Sequence, residues 1–300
     1  MPPQPDDFDA RLVRALQREG RASHLDLARD LGVSRALVAA RLRELLAGGT
    51  VRVVAAVDPG LIGQHVMAHV SIEVSTAAEP VAHWLTGLPE AVLVSVVGGR
   101  PAIVVELRVA THDELADVLA RVRAREGVAA IASRIYTRVL KGFFMPEYRV
   151  DVPVDGVDQR LITALQADGR TSYRELADLV GLSATTVRAR VTRLLDARVI
   201  KISAVEVRGV YGRQLSMGVG LDLAEVDDAL LDHLAGADHV EFAAQTAGAC
   251  DLIATITAQS PVDLLERIDT LRLLPGVRRL EAWTHLRLLK EDYTRGIPAP

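Results

Sequence analysis

Asp9-Ala-Arg-Leu-Val-Arg-Ala-Leu-Gln-Arg-Glu-Gly-Arg-Ala-Ser23 returns 149 residues later as Asp158-Gln-Arg-Leu-Ile-Thr-Ala-Leu-Gln-Ala-Asp-Gly-Arg-Thr-Ser172. The same offset continues without a gap: Gly99 falls on Gly248, Leu115 on Leu264, Gly127-Val128 on Gly276-Val277, Arg138 on Arg287 and Lys141 on Lys290. Over residues 9–63, roughly 21 of 55 aligned positions are identical. A period this long marks a repeated domain pair, not a solenoid. The 300-residue chain therefore reads as two copies of a two-domain unit.

Each copy opens with three short helices. Leu12, Ala15 and Leu16 recur at helical spacing, as do Leu161, Ala164 and Leu165. The first helix is expected to stop at Gly20 or Gly169 in a left-handed C-cap. Ser23 and Ser172 read as N-caps, each with an acid three residues on (Asp26 and Glu175). A glycine turn follows, Leu31-Gly32-Val33 or Val180-Gly181-Leu182, and Ser34 or Ser183 caps a third helix. Two short helices around a glycine turn make a helix-turn-helix.

In the third helix Val38, Leu42, Leu45 and Leu46, or Val187, Val191, Leu194 and Leu195, form the inner stripe. The opposite face carries Arg35, Ala36, Ala39 and Arg43 in copy one, and Ala184, Thr185, Arg188 and Thr192 in copy two. Such side chains suit a major groove: Arg reads guanine edges, Thr a base or phosphate, Ala a thymine methyl. Arg21, Arg41 and Arg193 are expected on phosphate. Ser34, Arg170, Ser183, Thr186 and Arg190 complete the candidate DNA-contacting set. Because the two faces differ, the expected target is two unlike half-sites in fixed order rather than a palindrome.

The net charge of −4 hides two basic islands. Residues 9–52 carry +4 and residues 158–201 carry +3, whereas residues 202–300 carry −6. That is a local footprint for a polyanion on an acidic body. Hydrophobic residues make up 49% and charged residues 25%, a globular balance. No apolar run reaches the ~20 residues of a membrane span, and the first residues lack a signal-peptide pattern. A single cysteine, Cys250, leaves no internal disulfide and fits a reducing, cytoplasmic setting.

After each head come strand-like runs, Val51-Arg-Val-Val-Ala-Ala-Val and Ile200-Lys-Ile-Ser-Ala-Val-Glu-Val. In copy one a strand at 66–74, a helix at 80–85, strands at 92–97 and 103–109, a helix at 113–125 and a strand at 131–140 follow, and copy two repeats the order. This β-α-β-β-α-β order is ferredoxin-like. The expected fold class is α+β: two tandem units, each a three-helix winged-type helix-turn-helix head plus a ferredoxin-like effector domain. The boundaries are 1–52 and 158–201 for the heads, 53–144 and 202–300 for the effector and oligomerisation domains, and 145–157 for a linker with two prolines. One sheet face packs on two helices, so the other must be covered, most simply by the second copy's sheet.

The pattern Leu-Gln-x-x-Gly-Arg-x-Ser-x-x-x-Leu-Ala-x-x-x-Gly-x-Ser, followed by Arg-[Leu/Val]-x-x-Leu-Leu, resembles the leucine-responsive and asparagine-synthesis regulators, the Lrp/AsnC family. The resemblance covers nearly the whole chain, twice. It implies a transcriptional regulator that binds double-stranded DNA and responds to an amino acid or related small molecule. It also implies that one chain stands for a dimer of single units, and up to four chains for an octamer. The family's Gly-x-x-Asp turn stands here as Gly248-Ala249-Cys250-Asp251, whereas copy one reads Gly99-Arg100-Pro101-Ala102 and lacks the Asp. The candidate effector residues are Gly99, Arg100, Thr246, Gly248, Ala249 and Asp251. The alternative for Asp251 is that it only caps its turn.

No catalytic, metal or cofactor site is expected. His65 and His69 share a strand face, but no Cys or carboxylate cluster completes a ligand set. Cys250 has no evident neighbouring cation and reads as a buried small residue, and Trp84 and Trp283 read as packing residues. An enzyme reading comes from the siroheme decarboxylases, which resemble Lrp/AsnC units and use His and Arg of the α/β domain. Across the second and third strands of each body there is no His, and copy two has no Arg there. The reading is therefore not an enzyme, with that enzyme class, or an effector-sensing partner without DNA binding, as the alternatives.

Overall fold

The computed structural model describes residues 5–49, 51–142, 152–206 and 215–293. Copy one runs α1 (Pro5–Arg18), α2 (His24–Leu31), α3 (Arg35–Ala47), β1 (Val51–Val57), β2 (Val66–Val74), α4 (Ala78–Thr86), β3 (Ala91–Gly98), β4 (Ile103–Val109), α5 (His112–Arg123) and β5 (Val128–Lys141). Copy two repeats it as α6 (Gly156–Ala167), α7 (Tyr173–Val180), α8 (Ala184–Asp196), β6 (Ile200–Glu206), β7 (Leu215–Leu223), α9 (Asp228–Gly236), β8 (Val240–Gly248), β9 (Leu252–Ala258), α10 (Pro261–Arg272) and β10 (Val277–Glu291). The compact units are not the two copies in series. One unit gathers both heads, the other both bodies.

In the head unit β1 and β6 pair antiparallel, from Val51 opposite Glu206 to Val57 opposite Ile200. Val54 lies opposite its own repeat equivalent, Ser203, so a pseudo-twofold axis passes through the ribbon. These strands, assigned to the bodies by the sequence boundaries, belong with the heads. The strand after each third helix thus pairs with the other copy instead of forming a wing on its own head. The linker also ends earlier than residue 157, because Asp155 caps α6.

The serine caps behave as their spacing requires. Ser23 accepts from the Asp26 N–H, Ser34 from Leu37, Ser172 from Glu175 and Ser183 from Thr186. Gly32 and Gly181 adopt φ of 69° and 72°, the left-handed turn that a Cβ would strain. Gly20 and Gly169 differ from expectation. They are not left-handed caps; each is glycine because the other copy's backbone presses on it. A Cβ on Gly20 would sit 2.7 Å from the Ile202 carbonyl, and one on Gly169 would sit 3.1 Å from the Val53 carbonyl. The Gly20 and Gly169 N–H groups donate to those same carbonyls at 3.2 and 2.8 Å. Leu12, Leu16, Leu27, Leu42, Leu161, Leu165, Leu176 and Val191 then share one core between the heads. Leu46 lies outside the inner stripe, at 36% exposure.

In the body unit each copy forms a four-stranded sheet, β5-β2-β4-β3 and β10-β7-β9-β8. The sheets join edge to edge, β5 on β8 and β10 on β3, and close an eight-stranded barrel without free edges. Strand alternation sorts the residues. Val70, Ile72, Val94, Val105 and Leu107 pack with α4 and α5, and Val219, Leu221, Ala254 and Ile256 pack with α9 and α10. The opposite faces meet inside the barrel around Val97, Val104, Cys250, Ile253 and Trp283. Each copy covers the other's sheet, as the repeat implied. Among the described residues no helix is long and apolar enough to cross a membrane.

Candidate DNA interface and effector turn

On α3, Arg35, Ala36 and Arg43 are exposed and Ala39 is half-buried. On α8, Thr185, Thr186, Arg188 and Thr192 are exposed. Ser34 and Ser183 are exposed but occupied as helix caps. Thr185, Arg188, Ala189, Thr192, Arg193 and Asp196 line a shallow groove on α8. The helical faces therefore stand as the spacing placed them. Sequence reading missed Leu37, 47% exposed between Ala36 and Val38, where copy two has Thr186. An exposed apolar residue in an otherwise regular helix was the available signal. His24 reports the local potential: burial, then Arg170, Arg35 and Arg43, lower its pKa below the ordinary histidine value.

Five arginines expected on DNA have intramolecular partners. Arg21 donates to the Gly169 carbonyl at 2.6 Å and the Thr171 carbonyl at 2.9 Å, and its guanidinium lies 4.5 Å over the Tyr173 ring. Arg170 answers from the other copy, donating to Gly20 at 2.7 Å and Ala22 at 3.1 Å. These two arginines clamp head to head. Arg21 was expected on phosphate and Arg170 in the DNA-contacting set; here each guanidinium holds carbonyls of the other head across the pseudo-twofold axis. Arg41 makes a bidentate pair with Asp9 and also meets Glu44. Arg190 and Arg193 share Asp158, which is buried at the foot of α6. These pairs brace the third helix against the first and leave Arg41, Arg190 and Arg193 half-exposed, whereas Arg35, Arg43 and Arg188 on the recognition helices are exposed.

The Gly248–Asp251 turn is held by a bond of its own and by one to the end of β7. The Asp251 carboxylate accepts the Leu223 N–H at 2.7 Å, and the Thr246 hydroxyl donates to the Cys250 carbonyl at 2.6 Å. Gly248 has φ of 142°, and a Cβ there would meet the Ser133 carbonyl at 2.6 Å. In copy one Gly99 and Arg100 are exposed, with Arg100 facing Glu73 at 3.4 Å. The structure keeps the two turns apart: Gly98 starts the β3–β10 seam, and Gly248 the β5–β8 seam. Thr246 is half-buried and Ala249 exposed.

Inside the barrel lies a polar cluster that strand reading missed. Arg134 donates to Ser71 at 2.8 Å, to the Cys250 sulfur at 3.1 Å and to Glu281. Cys250 thus has a cation beside it, although burial dominates and raises the thiol pKa. His69 is buried, and burial, then Arg134 and His285, push its pKa down to about 3. Its ring lies 5.4 Å from that of Trp283, and His285 meets the Ser95 hydroxyl at 2.9 Å. These residues come from β2, β3, β5 and β10 and the β8–β9 turn, and their His and Arg stand outside the β3–β4 and β8–β9 strand pairs, in which the sequence shows no His. His65 precedes β2 and is exposed, so it does not share a face with His69. Among the described residues no group of His, Cys, Asp and Glu is arranged to hold a metal.

The AsnC-type helix-turn-helix domain matches this chain twice, at residues 6–46 and 154–195. The HTH-type transcriptional regulator LrpA of Mycobacterium tuberculosis is 34% identical over 126 residues, which cover 82% of that protein and 39% of this chain. The chain belongs to the Lrp/AsnC family. A second relative, an uncharacterized HTH-type transcriptional regulator of Pyrococcus furiosus, is 30% identical over 139 residues, 94% of its length and 45% of this chain. Each relative thus matches about one copy's length of the fused Lrp/AsnC chain. Among solved structures, the siroheme decarboxylase NirDL in complex with an iron-uroporphyrin III analogue covers 95% of this chain, with a TM-score of 0.62 and 17% identity. Its alignment spans 93% of that protein, and the likeness is one of fold.

Proposed function

We propose that the protein is a sequence-specific DNA-binding transcriptional regulator that acts as a covalent pseudo-dimer. The observation that carries this reading is the head unit. Two recognition helices present Arg35, Ala36 and Arg43 on one side and Thr185, Arg188 and Thr192 on the other, and the Arg21–Arg170 clamp ties the heads together. Arginine on guanine and threonine or alanine on thymine give each helix its own half-site. The two half-sites are unlike and stand in fixed order, because both heads belong to one chain.

The bodies carry effector sensing and assembly in this reading. An amino acid or related small molecule is the effector class, and Asp251 gives copy two the stronger candidate turn. Assembly of up to four chains reproduces an octamer of single units. Salt-dependent binding to a fragment upstream of the protein's own gene tests the core of the proposal. Phosphate neutralisation makes log Kd rise steeply with log salt. A flat response, or no binding at low salt, rejects it.

A second reading, an enzyme of the siroheme decarboxylase type, draws on the fold likeness and on His69, Arg134 and His285 inside the barrel. Against it, the guanidinium of Arg134 is engaged by Ser71, Cys250 and Glu281. Titration with an iron-uroporphyrin, read by visible absorption, separates the readings: saturable binding at one equivalent favours the enzyme, and an unchanged spectrum favours the regulator.

A further inference from the structure

The inner faces of the two sheets differ where the repeat makes them equivalent. Copy one places His69 opposite Arg134, and Ser71 opposite Ala132. The same positions in copy two hold Gly218 opposite Trp283, and Gly220 opposite Glu281. At these four equivalent positions one face carries the cation and an imidazole, the other a carboxylate and the indole. Glycine is required on the second face. A Cβ on Gly218 would lie 2.1 Å from the Trp283 ring nitrogen, and one on Gly220 would lie 2.8 Å from the Glu281 carboxylate.

The contacts across the barrel join unlike positions. Arg134 of copy one reaches Glu281 and Cys250 of copy two. Trp283 of copy two lies against His69 of copy one. We infer that the two inner faces are specified for each other and refuse their own kind. A copy-one face paired with itself would bury two Arg134 guanidiniums and two His69 rings opposite Ala132, with Glu106 already held by Arg108 at 2.8 Å. A copy-two face paired with itself would set each half-buried Glu281 carboxylate against Trp283 without a guanidinium. Burying Arg134 without its partner is strongly destabilising in the first pairing, and the second leaves its carboxylates unpaired against indoles, so both like pairings are disfavoured. The partner that fits each face is the other copy, and a like half of a second chain does not fit. This inference rests on the barrel alone and stands whether or not the heads bind DNA.

Three full-length variants test it. The first gives copy two the copy-one face: Gly218→His, Gly220→Ser, Glu281→Ala and Trp283→Arg. The second gives copy one the copy-two face: His69→Gly, Ser71→Gly, Ala132→Glu and Arg134→Trp. The third makes all eight changes and restores an unlike pair in reversed order. Thermal unfolding and mass in solution are measured for each. The expected result is a Tm lowered by at least about 10 °C, or aggregation, for each of the first two, and recovery of at least half of that loss in the third. Either four-residue variant melting with the wild type, or an eight-residue variant melting no higher than the other two, overturns the inference.

Discussion

Arg21 and Arg170 occupy the same position in the two copies, and each donates to two carbonyls of the turn that follows the first helix of the other head. The reciprocity ties recognition to geometry. Gly20 and Gly169 already dock on the opposite strand, and the two guanidiniums lock that docking, so the separation of the recognition helices is set within one unit.

Arg21→Ala leaves the Gly169 and Thr171 carbonyls without these donors and removes the cover over Tyr173. The expected loss of stability is about 1–3 kcal/mol, read by denaturant unfolding. DNA affinity falls because the heads loosen, while the slope of log Kd against log salt stays at the wild-type value. A slope smaller by about 1 would mean that Arg21 holds a phosphate after all.

Arg43→Ala and Arg188→Ala are expected to act on different half-sites. Each weakens binding by about 1–3 kcal/mol and relaxes base preference in its own half only. Binding to a set of operators mutated one base pair at a time separates the halves. Loss of preference in both halves from either substitution contradicts the assignment.

Asp251 has a structural bond and a candidate charge role, and two substitutions separate them. Asp251→Asn keeps an oxygen for the Leu223 N–H; Asp251→Ala does not. If the carboxylate binds effector, both variants lose the effector response measured in DNA-binding titrations with amino acids. If the turn only needs an acceptor, Asp251→Asn responds as wild type does and Asp251→Ala alone is impaired.

His69 is neutral in the fold, so protons oppose folding. Its folded pKa of about 3 lies below the ordinary value of 6.5, and its stabilising contribution is present above pH 6.5 and lost as pH falls toward 3. Between pH 7 and pH 5 this amounts to about 2 kcal/mol, at about 1.4 kcal/mol per pH unit below 6.5. Arg134 and His285 share the site and deepen the effect. Unfolding free energies measured across this range should fall with acid in the wild type and flatten in His69→Asn. An unchanged slope in the variant assigns the dependence to another group.

Much of this architecture was legible in the chain. The Ser23, Ser34, Ser172 and Ser183 caps and the Gly32 and Gly181 turns are local signals, read within four residues. The strand order followed from alternation, and the covering of one sheet by the other from the repeat. What escaped was long-range. Gly20 and Gly169 were assigned to a local cap because nothing nearby announces that Ile202 and Val53 press on them. Arg21, Arg41, Arg170, Arg190 and Arg193 were assigned to DNA because charge without partners looks available, and apart from Glu44 beside Arg41 their hydrogen-bond partners lie 32 to 150 residues away. The barrel interior stayed hidden for the same reason, since Trp283, Cys250 and Glu281 reach His69 and Arg134 only when the two sheets close.

One chain is expected to read two different half-sites through two diverged heads. Selection of bound sequences from a random duplex library with the whole chain decides this. The expected outcome is an enriched site that is not a palindrome, with two unlike half-sites in one order at one spacing. Recovery of a perfect palindrome would contradict the unlike reading of the heads, and no enrichment at all would contradict the DNA-binding reading itself.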